Sequence, residues 1–480
     1  MSAASDRDDR SPRTDEHAVI SPVTGAPIDR VRLATSEEIR RTLDALGGPP
    51  GSPSRADVLS FLARLHDELV RHEPELVRTT MLETGFIGSD CRDIIAGAIE
   101  FLHDFGRYAE SQEMKPRVVP HSFAAPAPRM MHLTHRPYRW VAAMVPQNAS
   151  LTLGITIIAS ALYAGSRVLL RPSLQCASSG ALLATLVARS QPPAPVAVLN
   201  CMARDFLDAC YQSPQVDMLH YIGSNRHAMA VLQDALASSK QCLLDGQGNG
   251  VLYVDDSFSM AEAAQLITMG ATRFNGLTCT SVNGVLADET VYPALRDALV
   301  EAFRRLVVGD PQDPRTQIGP LFSPEHAAGL ARDLRNGSGV RVLCGGASHG
   351  AYFVPAVVEG VGLDDVLVRE GLFGPAVWIH PVRADAVFDW LRANAFPLSD
   401  TVLSTRPEVV EAFALNSRAA RICVNEDPSV ESMFEPWGGY PPSGLNPVST
   451  WIEKYRQSYQ IDGRPASLAE PFRSLGVVGG

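Results

Sequence analysis

The chain has 480 residues, 45% of them hydrophobic and 20% charged, with 42 Lys and Arg against 53 Asp and Glu for a formal net charge of −11. That length exceeds what one hydrophobic core usually organises, so two or three structural units are expected. The negative balance argues against nonspecific binding to nucleic acid or to an anionic membrane, and eight scattered cysteines with no C-x-x-C pair argue for reduced thiols in the cytoplasm and against a structural metal.

Residues 1–17 are polar and highly charged and lack an apolar h-region, which reads as a disordered tail and not as a signal peptide. Helical apolar spacing follows over Ser36–Leu46 and Ser54–Arg71, each opening on a serine suited to capping. Glu73–Phe105 continues as helix with a break around Gly85–Ser89, and Pro116–Arg139 is rich in proline and basic residues with short extended runs. Trp140–Ser166 carries no charge, but Pro146, Gln147, Asn148, Ser150, Thr152 and Gly154 interrupt it, so a buried strand, a loop and a buried helix fit better than a membrane span.

From Trp140 to Asp245, apolar runs at Ala142–Val145, Arg167–Leu170, Val196–Leu199 and Met218–Tyr221 alternate with helical patterns, which predicts βαβ units and a parallel sheet. The run Gly246-Gln247-Gly248-Asn249-Gly250 is glycine-rich, yet a strand-like V-L-Y-V follows it, so it is a poor phosphate loop. A second alternating region runs from Val251 to about Pro436, and Trp451–Gly463 could supply a last strand. Twelve histidines are scattered without ligand spacing; His220, just before Gly223-Ser224, is the one placed to matter.

The most informative stretch is R-F-N-G-L-T-C-T at Arg273–Thr280. It sets Cys279 in a small polar segment between apolar runs. A nucleophilic thiol needs access, thiolate character and donors for the oxyanion it creates. Other segments accompany it: V-P-Q-N-A at Val145–Ala149, L-L-R-P-S at Leu169–Ser173, V-G-D-P at Val308–Pro311, I-G-P-L at Ile318–Leu321, G-L-F-G-P at Gly371–Pro375 and P-W-G-G-Y-P-P-S-G at Pro436–Gly444. In this order and spacing, over roughly residues 20 to 460, they resemble the aldehyde dehydrogenase superfamily.

The resemblance implies an α/β fold of two parallel-sheet domains with a β-arm for oligomerisation. The dinucleotide-binding domain would be 18–118 with 140–246, the catalytic domain 247–440, and the arm 119–139 with 450–480. It implies a homodimer or homotetramer acting on a small aldehyde with NAD or NADP, which such proteins bind without a G-x-G-x-x-G fingerprint. Cys279 would attack the carbonyl carbon and pass through a thioester, with the Asn148 amide holding the oxyanion. Dinucleotide contacts would come from Val145, Pro146 and Gln147, from Arg171 and Ser173, from Gly223 and Ser224 at a helix start, and from Glu370 and Phe373. Phe274, Met433 and Trp437 would line an entry funnel.

Departures from the pattern are as informative. Arg171 replaces a lysine and Leu174 an acidic residue of many NAD-preferring members, which makes NADP tolerable. Gly371 stands where a ribose-gripping glutamate is usual, with Glu370 one residue away, and Leu277 stands where a glutamine is usual. Leu244 takes the place of the water-activating glutamate. Asp245 follows it, and could serve as base only if the strand is bulged, because a one-residue offset in extended backbone sends a side chain to the opposite face. Three readings remain open: hydrolytic aldehyde oxidation, an acylating enzyme whose acceptor is a thiol such as coenzyme A, and a degenerate scaffold subunit.

Overall fold

The computed structural model describes residues 16–45, 53–112, 117–121, 129–337 and 339–463. Two seven-stranded sheets dominate it. The first runs in the order 437–439, 444–449, 241–245, 216–222, 140–144, 167–171, 196–198. Its last five strands are parallel. The second runs 341–344, 356–359, 376–382, 282–288, 250–254, 399–403, 421–424, all parallel except the first edge strand.

Sequence explains why these strands are central. Trp140–Met144 and Gly250–Val254 are buried at every residue, the mark of strands covered on both faces. The uncharged helix Ser150–Tyr163 is buried along nearly its whole length, packed with helices Arg55–Arg71 and Gly88–Ser111. No helix among the described residues is long and apolar enough to cross a membrane, and no cluster of metal-ligating side chains occurs among them.

The helix predicted over Ser54–Arg71 starts at Arg55, with the Ser54 side chain accepting from the Asp57 N–H. At the helix Ser36–Ala45 the cap is instead Thr35, which exchanges hydrogen bonds with Glu38, while Ser36 Oγ donates to Asp205. The predicted break near Gly85 is real: Gly85 ends helix Glu73–Thr84 with φ +76°. Residues 16 and 17 belong to strand Glu16–Ile20 and not to the tail, whose remainder lies outside the described residues.

Two boundaries differ from expectation. Strands Trp437–Gly439 and Gly444–Ser449 return to the first sheet, the latter antiparallel beside Gln241–Asp245, so the chain leaves the second domain before residue 437. The segments assigned to an arm do meet: Arg117–His121, Arg129–Pro137 and Arg456–Gly463 form a three-stranded antiparallel sheet, while 464–480 lie outside the described residues.

Chain direction reverses around strand 140–144 in the first sheet, with 167–171 and 196–198 on one side and 216–222 and 241–245 on the other. The crevice beyond the carboxyl ends of strands at such a switch point is where open α/β sheets take ligands. The segments after these strands are Val145–Asn148, Pro172–Ser173, Gly223–Ser224 and Gly246–Gly248. Cys279 sits just before strand Val282–Asp288 of the second sheet. Both sets of side chains therefore line the junction between the domains.

Candidate active site

Three successive left-handed residues lead into the nucleophile turn: Phe274 at φ 53°, Asn275 at φ 56° and Gly276 at φ 65°. Two of these have a Cβ, so each costs of order 1–3 kcal/mol and persists only because its surroundings overdetermine it. Asn275 is the clamp. It is buried, its Nδ2 donates to the carbonyls of Gly85 and Pro320 at 3.0 Å each, and its Oδ1 accepts from Gly319 N–H at 2.9 Å. Phe274 N–H donates to Asp90 at 2.9 Å, and burial raises that carboxyl to a pKa of about 6. The turn Thr278–Ser281 is closed by a 2.8 Å hydroxyl contact and presents Cys279 with partial solvent access.

This geometry accounts for several sequence motifs at once. A Cβ on Gly248 would lie 1.9 Å from the Cys279 carbonyl oxygen, so the glycine-rich run after Asp245 is a close crossing over the nucleophile turn and not a phosphate cradle. Gly276 abuts Gly374 of G-L-F-G-P, and Gly319 of I-G-P-L abuts Gly85. Leu277 is fully buried in the second domain's core. Among the funnel candidates, Phe274 packs on Phe86, while Met433 and Trp437 rest on the first domain's core.

The Cys279 thiol is held protonated at rest. Burial pushes its pKa well up, and the carboxylates of Glu431 and then Asp245 add to the effect. A nucleophile in that state needs a partner to take its proton.

Asp245 does not offer itself as that partner. Pairing between Val216–Ile222 and Gln241–Asp245 is continuous, with no bulge to turn it round. Leu243 and Leu244 alternate between the two cores on opposite faces of the sheet. Asp245 is 5% exposed, and Asn446 Nδ2 donates to both its oxygens at 2.9 Å while His220 Nε2 lies 2.6 Å from one of them. His220 in turn bonds Tyr455 at 2.9 Å, and Lys454 Nζ donates to Asn446 Oδ1 at 3.0 Å. Burial alone would raise the Asp245 pKa, but His220, Asn446 and Lys454 outweigh it and leave the carboxyl below its usual range. The expected base is thus a committed member of a buried network, and His220 turns to that network and not to the Gly223–Ser224 turn.

The dinucleotide candidates line the other side of the junction. Val145 is buried and its N–H donates to Arg171 O at 3.1 Å, while Pro146, Gln147 and Asn148 are partly exposed. Gln147 Nε2 donates to Glu83 O at 2.9 Å. Arg171 Nε is held by the neutral Cys201 carbonyl at 3.1 Å. Ser173 is 7% exposed and donates to Gln175, and Leu174 is buried. Gly223 and exposed Ser224 open helix Asn225–Ala237, Ser224 capping it, with Tyr221 Oη donating to Ser224 O at 3.0 Å.

Gly371 has φ +81° and lies 3.1 Å, at its would-be Cβ, from Asn249, which is why a glutamate cannot occupy that position without strain. Glu370 Oε2 is a buried oxygen without a partner, the kind of orphan acceptor a ribose hydroxyl satisfies. Phe373 is 38% exposed at φ 43°, and its carbonyl accepts from His326 at 2.9 Å. An open helix start, an arginine free of carboxylate contact at Nε and an orphan acid oxygen fit a nicotinamide dinucleotide.

Sequence reasoning missed two contributors: the Asn275 clamp and Glu431. The signal for Glu431 was the acidic run Glu426–Glu435 in the loop joining the end of the second sheet to the P-W-G-G segment.

Comparison with known proteins places these features in context. The sequence matches the family model described as "Aldehyde dehydrogenase family" over residues 9–461. It is 25% identical over 400 residues to a sulfoacetaldehyde dehydrogenase of Neptuniibacter caesariensis, covering 82% of this chain and 85% of that one. It is 24% identical over 435 residues to a 3-sulfolactaldehyde dehydrogenase of Priestia aryabhattai, covering 89% and 90%. The fold matches that of a glyceraldehyde-3-phosphate dehydrogenase from Methanocaldococcus jannaschii complexed with NADP, at a TM-score of 0.86 and 21% identity, covering 94% and 100%.

Proposed function

The chain belongs to the aldehyde dehydrogenase family of NAD- or NADP-dependent oxidoreductases, and from that premise we propose that it oxidises an aldehyde to its carboxylic acid through covalent attachment to Cys279. The observation that carries this is the construction around one thiol. A strained, fully bonded loop, the Gly248 crossing and the Gly276–Gly374 contact all fix the Cys279 turn at the junction of the domains.

In this reading the sulfur bonds to the carbonyl carbon, and the oxyanion is received by the Asn148 amide and the Cys279 backbone N–H. A preorganised donor of that kind contributes about 3 kcal/mol to the transition state. Val145–Gln147, Arg171, Ser173, Gly223, Ser224, Glu370 and Phe373 would hold the dinucleotide, whose nicotinamide ring accepts a hydride when bound. Cys279 then carries a thioester that an acceptor must release. Because Leu244 has no proton-accepting group and Asp245 is committed to His220 and Asn446, a thiol acceptor is the second reading. The three-stranded sheet of 117–121, 129–137 and 456–463 would serve the subunit contact of a homodimer or homotetramer.

The test is rapid mixing with a panel of aldehydes and NAD+ or NADP+, with and without coenzyme A, followed by product mass. A burst of reduced dinucleotide near one per Cys279 and an acid product are expected, and Cys279→Ala should abolish both. Substantial turnover by that variant would defeat the proposal; an acyl thioester product would favour the thiol acceptor.

A further inference from the structure

The loop from the end of strand Arg421–Val424 to Trp437 carries a carboxylate that the chemistry above leaves without a role. Glu431 makes a hydrogen-bond contact with the Thr280 side chain, the residue next to the nucleophile, and its charge acts on the Cys279 thiol more strongly than that of Asp245. Arg421 braces the loop from beneath. Its Nη1 donates to Pro428 O at 2.9 Å and its Nη2 to Val430 O at 2.7 Å, and Nη1 lies 3.8 Å from Glu431 Oε1. The Glu431 side chain is nevertheless 36% exposed, so protein surrounds one side of the carboxylate while water reaches the other.

We propose that Glu431 is the base of this site, a role that rests on Cys279 being the nucleophile. In the first step the sulfur–carbon bond forms, the carbonyl π pair moves to oxygen, and the thiol proton passes to Glu431, directly or through one water. Glu431 releases that proton to solvent across its exposed edge. In the later step a water oxygen bonds to the acyl carbon of the thioester and gives a proton to Glu431. The carbon–sulfur bond breaks, the acid leaves, and the departing thiolate takes the proton back. Each step starts and ends with a free carboxylate once its proton has been handed on.

The surroundings suit the task. Burial raises the Glu431 pKa, the Thr280 contact and the Arg421 charge restrain it, Glu435 raises it and Arg273 lowers it, while the Cys279 thiol is the proton donor it faces. A carboxylate raised toward the working pH accepts protons more effectively than one at its ordinary value.

Alkylation of Cys279 by iodoacetamide, followed by mass, tests this without aldehyde or dinucleotide, because the two roles open to Glu431 have opposite signs. If Glu431 acts only as a fixed negative charge, Glu431→Gln lowers the thiol pKa and alkylation at pH 7.5 speeds up. If it takes the proton, alkylation slows, by about tenfold, with Glu431→Asp in between and circular dichroism unchanged. Turnover gives the second reading: kcat of Glu431→Gln should fall roughly 100-fold or more with KM little altered, the span general-base assistance usually contributes. Faster or unchanged alkylation overturns the proposal, and so does a change confined to KM, which would make Glu431 a substrate-sorting group at the mouth. Turnover retained by Cys279→Ala would sink the nucleophile assignment instead, while the sign of the alkylation change still reports on Glu431.

Discussion

Replacing Asn275 by alanine should loosen the nucleophile turn far more than its single side chain suggests. Three hydrogen bonds of 2.9–3.0 Å vanish, each worth about 1 kcal/mol net, and the buried Gly319 N–H loses its acceptor. Alanine must also hold φ near 56°, a further cost of about 1–2 kcal/mol. The sum is on the order of 4–5 kcal/mol, a factor of about a thousand in the population of the open loop at 1.4 kcal/mol per tenfold. A chain with two sheet domains does not promise two-state unfolding, so the measurement must be local. Hydrogen exchange at residues 274–281 and at Gly319 reads the opening directly. Asn275→Gly loses the same bonds but not the backbone strain, and should retain about fivefold more protection than the alanine variant. Unchanged exchange in Asn275→Ala would refute the clamp. Equal protection in the two variants would refute the strain.

Two further outcomes follow from the dinucleotide side and from the buried network. Leu174→Glu should weaken NADP binding more than NAD binding, since a carboxylate about 4 Å from a 2′-phosphate costs on the order of 1–4 kcal/mol at a partly solvated site; calorimetric titration of both would expose an equal effect. Lys454, lowered by burial from 10.5 to about 8, binds fewer protons folded than unfolded between those values, so its penalty is full below pH 8 and gone above 10.5. Stability of the wild type relative to Lys454→Met should therefore rise by roughly 3 kcal/mol across that window, and a flat difference in chemical denaturation would show the lysine to be solvated.

How much of this was legible in the sequence depended on distance along the chain. Apolar runs such as Val141–Met144 and Val251–Val254 declare buried strands because every residue is apolar, and the breaks at Gly85 and Ser54 are local chemistry that any reader of caps can find. The cysteine was conspicuous through its small polar neighbours. Its setting was not. Asn275 bonds partners 190 and 45 positions away, and Asp245 meets Asn446 across 201 positions, so no local pattern announces either. Alternation in the Leu244–Asp245 strand did warn that one residue of offset changes the face, and the unbroken register bears out that concern. The return of residues 437–449 to the first sheet misled the domain boundary because a strand's partner is chosen by tertiary packing and carries no signature of its own.

The Gly248 crossing has a mechanical consequence. Only four residues separate the last parallel strand of one sheet from the first strand of the other, and one of them is pressed against the nucleophile's own carbonyl. Asn275 rivets the same spot to the end of helix Glu73–Thr84. Such a stitched seam suppresses the jaw-like opening by which many two-domain enzymes admit their ligands. Traffic must instead pass along the seam from its two ends, dinucleotide from one side and aldehyde from the other. What gives way for it is the surface loop bearing Glu431, leaving the distance between thiol and hydride acceptor as the one dimension of the site that stays fixed through a turnover.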